Sequence, residues 1–276
     1  MNTNVEFTLY TRPTNVGLPI KTSHVFVVSS DGHNWNCFGH GSPDLGDNQS
    51  QPILKVGASS KWATAIYGLT SEGDQGAKPA AGMRLNFDGV CHTAANRVLV
   101  LAGDNIDTRK TDGDALAILM YGKFGFNLDQ YIPLVESTGN ALLQSDPNEI
   151  TKEDISTVLN RINQRLTATC ELDILHLDAQ EQINTIHPGT ILPDITAAQR
   201  TAFCPIYTEY QNERAAVFKT TAASVPPGTQ IAFGALRTNL AAPWRKCSAS
   251  LVAAIGLDGF QGIFGVTPNE VQSIFA

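Results

Sequence analysis

The chain has 276 residues, of which 42% are hydrophobic and only 16% are Asp, Glu, Lys or Arg. This length and apolar content suffice for a buried core, which excludes a wholly disordered chain. Nineteen basic and 26 acidic residues give a net charge of −7, the wrong sign for a protein that binds nucleic acid.

Strand patterns dominate the first part of the chain. Residues 5–11 alternate between polar and apolar side chains, and a β-branched and aromatic run follows His24. An Asp-Gly turn at Asp31 then allows residues 34–38 to return as the second arm of a hairpin. Two further strand candidates are residues 51–57 and 62–69. These segments predict an antiparallel sheet.

Helical patterns begin near Asp88 and dominate the second half. Residues 89–102 are mostly apolar, with Asp88 as a candidate N-cap, so they predict a buried helix. Another helix is expected at residues 195–222, with an interruption at Pro205. Two later helix starts combine a threonine with an acidic residue three positions on, at Thr151 and Thr267.

Charge and histidine content divide the chain near residue 127. Residues 1–127 carry a net charge of −1 and four of the six histidines, and residues 128–276 carry a net charge of −6. We therefore predict an α+β protein with a catalytic region at 1–127 and a mainly helical region at 128–276. Whether these regions are two domains or one continuous domain is left open.

The cysteines and the first residues bear on the location of the protein. Five widely spaced cysteines without a CxxC pair predict free thiols rather than a disulfide framework. We expect no membrane span, because no uninterrupted apolar run is long enough. The first residues lack the basic and apolar segments of a signal peptide. We therefore expect a cytoplasmic protein, or one secreted without a cleaved signal.

Cys91 and His24 are the candidate catalytic pair. Cys91 lies at the start of the predicted buried helix, where the helix dipole and free backbone N–H groups favour a thiolate and can stabilise an oxyanion. His24, on a predicted strand, is rigidly placed to accept the thiol proton, and Asn36 on the returning strand is the candidate orienting group. A core cysteine is the alternative interpretation, because Cys91 shares its helical row with Ala95 and Leu99.

The order of strand histidine, hairpin and helix-start cysteine resembles the circularly permuted papain-like fold of the NlpC/P60 superfamily. The matching pieces, within residues 20–102, are Ser23-His24-Val25-Phe26, Trp35-Asn36-Cys37 and Gly89-Val90-Cys91-His92. Val90 stands where these families often have an asparagine before the nucleophile. The resemblance implies a permuted papain-like region, with Cys91 as nucleophile, His24 as general base and Asn36 as the orienting residue.

A second motif places three metal-capable side chains within eight residues: His33, Cys37 and His40. Cys91 or His92 can complete a tetrahedral zinc site with them. The spacing is not that of a standard zinc finger, and no HExxH motif accompanies it. We therefore expect no metal and no other cofactor, and a zinc-dependent hydrolase stays an alternative.

These residues predict a thiol-dependent acyl-transfer enzyme that acts on an amide or ester carbonyl of a peptide or small molecule, as a peptidase, amidase or deamidase does. Because no motif specifies the acyl acceptor, an amine acceptor, as in a transglutaminase or peptide cyclase, is equally open. A non-catalytic binding module with Cys91 in its core is the alternative from another class. The sequence decides neither the oligomeric state nor whether His92 or His40 takes one of the proposed roles.

Overall fold

A computed structural model describes most of the chain, with gaps. The described residues are 4–14, 22–30, 34–35, 50–59, 83, 86–102, 114–126, 128–145, 147, 150–166, 171–172, 175–176, 189, 191–226, 232–264 and 267–275. Five predictions lie outside them: the candidate site residues Asn36, His33, Cys37 and His40, and the strand at residues 62–69.

One antiparallel sheet forms in the described part of the chain, with strand order β3-β2-β1-β4. Its strands are β1 (Asn4–Thr14), β2 (Thr22–Ser29), β3 (Asn34–Trp35) and β4 (Gln51–Ser59). The pairing of Val28 with Asn34 is the expected hairpin contact between β2 and β3. The antiparallel sheet predicted for the first part of the chain is therefore confirmed.

The two faces of the sheet carry different side chains, because successive residues of a strand point to opposite faces. One face of β1 and β2 presents fully buried apolar residues to the helices: Phe7, Leu9, Val25 and Val27. The opposite face carries Tyr10 and Phe26, whose rings stack at 5.5 Å. His24 alternates with Val25 and therefore shares this second face.

Four helices follow the sheet among the described residues of the first compact unit. They are α1 (Cys91–Ala102), α2 (Asp114–Tyr121), α3 (Leu128–Ser145) and α4 (Lys152–Leu166). Every side chain of α1 from His92 to Val100 is buried, so the predicted buried helix is confirmed. Asp88 is not its N-cap, because the helix begins three residues later. At the helix start, the Thr93 hydroxyl forms hydrogen bonds with the backbone N–H and carbonyl of Val90.

The chain divides into two compact units, with the main break between Thr167 and Ala168. The predicted division into domains at residue 127 stays a prediction. Helices α3 and α4 belong to the first unit because their apolar side chains enter the same core as the sheet and α1. These side chains are Tyr131, Val135, Ile155, Val158 and Ile162. The structure is thus α+β, as predicted, but the helical part of the chain is shared between both units.

The second unit is helical in its described residues. Its helices are α5 (Ala197–Ala223), α6 (Phe233–Phe264) and α7 (Pro268–Phe275). Buried aromatic rings pack around Trp244, which contacts Tyr210, Phe264 and Phe275. Arg214 and Glu171 form a buried ion pair at 3.2 Å. A helical unit with its own aromatic core therefore ends the chain.

Two expectations for this second unit are wrong. Helix α5 continues through Pro205, whose side chain is exposed, because the buried rings of Phe203 and Tyr207 on either side hold it in place. Cys204 is disulfide-bonded, so the cysteines are not all free. Cys91 and Cys247 are the free cysteines of the described chain.

Helix α6 combines an apolar composition with an internal break. Gly256 has a φ of 74°, outside the helical region, and divides α6 into two helical stretches. By length and composition α6 can cross a membrane, with a mean hydropathy of 1.4 in its most apolar stretch, of which 33% is buried within the protein. Core helices of soluble proteins also meet this criterion.

Candidate thiol site

The N-terminus of α1 is closely packed against the segment before it. The Thr93 hydroxyl accepts a hydrogen bond from the Val90 backbone N–H at 2.7 Å and returns one to the Val90 carbonyl. A Cβ on Gly89 would clash with the side chains of Met83 and Thr93, so this position requires glycine. Cys91 is therefore presented by a sharply defined turn.

Cys91 is the first residue of α1 and is half-buried against the core of the first unit. Its Sγ lies 3.7 Å from Nδ1 of His92, whose side chain is buried. The first N–H groups of a helix have no partner within the helix and favour negative charge beside them. The structure thus brings a thiol and an imidazole together at the positive end of a helix.

The pKa of Cys91 reflects this environment. Burial raises the pKa of the thiol, but the charge and ring hydrogen bond of His92 and the backbone N–H groups of Val25 and His92 lower it by more. The net pKa lies below its ordinary value, although burial alone would raise it. Cys91 therefore has the depressed pKa and partial exposure typical of a reactive thiol.

Cys247, the other free cysteine, has the opposite environment. It is only 4% exposed, and burial, followed by the charges of Glu213 and Glu209, raises its pKa to about 12. Such a thiol is protonated and unreactive at neutral pH. The second unit therefore supplies an internal reference for the reactivity of Cys91.

His24 occupies a different environment from the one predicted for a general base. Its ring stacks on Phe26 at 5.8 Å, on the face of the sheet to which Tyr10 of β1 also belongs. The core cluster against which Cys91 packs contains Val25, on the other face of the strand. The described contacts thus pair the thiol with His92, and the role of His24 stays a prediction.

The role of His92 was not assigned from the sequence. Its position directly after the cysteine was visible there, but adjacent residues of a helix normally point in different directions. In the structure Nδ1 of His92 nevertheless lies 3.7 Å from the sulfur of Cys91. A histidine directly after a predicted helix-start cysteine is the signal that could have found this contact.

The metal and orienting residues predicted from the sequence lie outside the described residues. Among those the structure describes, no group of three or more His, Cys, Asp or Glu side chains is arranged to hold a metal ion. The zinc alternative, with His33, Cys37 and His40, therefore stays a prediction. The same holds for Asn36 as the orienting residue.

No family model, curated protein or solved structure matches this chain.

Proposed function

We propose that this protein is a thiol-dependent acyl-transfer enzyme in which Cys91 is the nucleophile and His92 accepts its proton. One observation supports this most strongly. A half-buried thiol at the first residue of α1 lies 3.7 Å from the imidazole Nδ1 of His92. A nucleophile and base within reach of each other are the minimum requirement for covalent catalysis by cysteine.

The proposed reaction has two stages. The Cys91 proton moves to His92 Nδ1, and the sulfur attacks the carbonyl carbon of an amide or ester to form a tetrahedral intermediate. His92 returns the proton to the leaving amine or alcohol as the C–N or C–O bond breaks, which leaves a thioester on Cys91. Attack by water or an amine on that thioester releases the acyl group and restores the thiol.

Backbone N–H groups support the charge that this reaction develops. The N–H groups of Val25 and His92 hydrogen-bond to the sulfur and stabilise its negative charge before attack. In the tetrahedral intermediate the charge moves to the carbonyl oxygen, for which N–H groups of a helix start are suitable donors. Hydrolysis and transfer to an amine share this first stage, so both stay within the proposal.

Alkylation and acylation test the proposed nucleophile. We expect iodoacetamide at about pH 6 to modify Cys91 at least about tenfold faster than Cys247, because only the thiolate reacts. p-Nitrophenyl acetate should acetylate Cys91 with a burst of p-nitrophenol, and Cys91→Ser should abolish that burst. Peptide mapping by mass spectrometry identifies the modified residue.

A non-catalytic binding module is the second candidate, supported by the packing of Cys91 on the core of the first unit. It predicts that Cys91 and Cys247 are alkylated equally slowly and that no thioester forms. That result would exclude the enzyme. Cys91→Ala should then change stability alone, as expected for a residue that only fills the core.

A further inference from the structure

Arg97 is a fully buried cation on the helix that carries Cys91, six residues further along. Its Nε donates a hydrogen bond to the carbonyl of Phe124 at 2.7 Å, and its Nη2 donates one to the carbonyl of Phe126 at 2.6 Å. The Tyr131 ring lies under the guanidinium at 4.8 Å, and the Tyr131 hydroxyl donates to the Arg97 carbonyl at 2.6 Å. Arg97 thus joins α1 to the loop at 122–126.

That loop in turn holds the segment that leads into Cys91. The Phe126 backbone N–H donates to the carbonyl of Asp88, three residues before Cys91. The Tyr121 hydroxyl donates to the carbonyl of Asn86 at 3.1 Å. A continuous series of hydrogen bonds therefore runs from the Arg97 guanidinium through the loop to the turn before the thiol.

The backbone has little conformational freedom where the loop at 122–126 contacts the segment before Cys91. Gly125 has a φ of 76°, and a Cβ there would clash with the Asp88 carbonyl. The Asn96 side-chain amide donates to the carbonyl of Lys123 at 2.8 Å, a second link between α1 and the same loop. A buried cation is costly unless its donors are satisfied, and a planar fork can hold two carbonyls at once. A residue that only filled space in the core would not need a buried guanidinium.

We propose that Arg97 is a positioning residue for Cys91. By holding the loop against α1, it fixes the turn before the helix, and so keeps the thiol against His92 and the Val25 backbone N–H. This inference rests on the proposed function, because it concerns the same thiol. Arg97 itself contacts neither the thiol nor a substrate in this scheme.

Arg97→Lys tests this role, because it keeps the positive charge but replaces the planar fork by a single ammonium. We expect the pH profile of Cys91 alkylation to move upward by about one pH unit, so that the rate at about pH 6 falls about tenfold. Val135→Ala is the matched control. It removes two methyl groups from a fully buried side chain of the same core, and should lower the melting temperature without moving the pH profile of Cys91 alkylation.

The outcomes separate this proposal from the proposed function. A folded Arg97→Lys protein whose Cys91 alkylation has the wild-type pH profile would overturn the positioning role. An equal upward shift of that profile in Val135→Ala would overturn it as well. A wild-type Cys91 that titrates at the ordinary thiol pKa would overturn the proposed function and this inference together. If Arg97→Lys does not fold, Arg97→Gln replaces it, because the neutral amide can donate to one of the two loop carbonyls without a buried charge. We expect it to slow alkylation about threefold, and an unchanged rate would reject the proposal.

Discussion

At the scale of single residues, the pKa and the contacts of a side chain depend less on its residue type than on the groups around it. Cys91 and Cys247 are chemically the same, yet the pKa of one lies below its ordinary value and that of the other rises to about 12. The difference arises because burial and then the charges of nearby carboxylates raise the pKa of Cys247, whereas at Cys91 His92 and backbone hydrogen bonds outweigh the effect of burial. Two histidines differ in the same way, since His24 stacks on Phe26 and His92 faces the sulfur.

The two histidines make a matched pair for mutagenesis. His92→Gln removes the imidazole whose charge lowers the pKa of Cys91, so we expect the alkylation rate of Cys91 at about pH 6 to fall about tenfold or more. His24→Gln should change that rate by less than about twofold, because the described contacts of His24 are with Phe26 and not with the thiol. The measurement is peptide-resolved iodoacetamide labelling of both variants.

The reverse pattern would restore the assignment implied by the sequence resemblance. If His24→Gln slows labelling and His92→Gln does not, His24 is the base and the 3.7 Å contact of His92 is incidental. Circular dichroism of each variant checks that neither result arises from unfolding.

At the scale of elements, the sequence predicted what depends on neighbouring residues. The Thr151 hydroxyl accepts from the Asp154 backbone N–H at 3.1 Å, while Asp154 accepts from the Thr151 N–H at 2.8 Å, as the spacing predicts. Thr267 forms the same reciprocal pair with the acidic residue three positions on. The run of β-branched and aromatic residues after His24 likewise forms a strand. Such features need only a few residues, and these are adjacent in the chain.

Features that depend on distant residues could not be predicted in this way. The helix through Pro205 persists because rings brought in from elsewhere in the second unit pack beside it. Tertiary contacts of this kind outweigh the local preference of proline. The start of α1 at Cys91 likewise differs from the one that Asp88 indicated as an N-cap. The core that α3 and α4 share with the sheet also places helices from beyond residue 127 in the first compact unit.

The cap of α5 gives a prediction at this scale. Thr196 accepts from the Gln199 backbone N–H at 3.1 Å, and Gln199 accepts from the Thr196 N–H at 3.0 Å. Thr196→Ala leaves a helix N–H without this partner, so we expect the free energy of unfolding of the second unit to fall by about 1 kcal/mol. Urea unfolding monitored by circular dichroism measures this change in the free energy of unfolding.

Thr201→Ala on the same helix is the control. Its exposed hydroxyl donates to the Ala197 carbonyl at 2.8 Å but does not cap the helix. We expect it to change the free energy of unfolding by less than about 0.5 kcal/mol. Equal losses of unfolding free energy in Thr196→Ala and Thr201→Ala would show that the cap of α5 makes no specific contribution to stability.

At the scale of the whole molecule, two units with different cores share one chain. Cys204 in the second unit is disulfide-bonded, and disulfides are typical of oxidising compartments. The first unit keeps Cys91 as a free thiol. The disulfide thus favours an oxidising compartment over the cytoplasm, and the location of the protein stays a prediction.

The raised pKa of Cys247 makes the stability of the whole chain depend on alkaline pH. Its pKa rises from an ordinary value of about 8.5 to about 12 in the folded state. Above the lower value the unfolded chain loses this proton while the folded chain keeps it, so the contribution present below about 8.5 is lost as the pH rises. We expect the wild-type free energy of unfolding to fall between about pH 8 and 10.

Cys247→Ala provides the comparison for this pH dependence. The variant lacks the titrating thiol, so the difference in stability between it and the wild type should shrink steadily over that range, measured by urea unfolding at each pH. A constant difference would show that the pKa of Cys247 does not differ between the folded and unfolded states.

The lowered pKa of Cys91 has a consequence for following the folding of this protein. Most cysteines react faster when a protein unfolds, because unfolding exposes them. At mildly acidic pH, Cys91 is ionised more in the folded state than in the unfolded chain, because His92 and the helix start exist only when α1 is formed. We therefore expect its chemical modification at this pH to mark molecules that have folded, and loss of reactivity to report local opening around the start of α1.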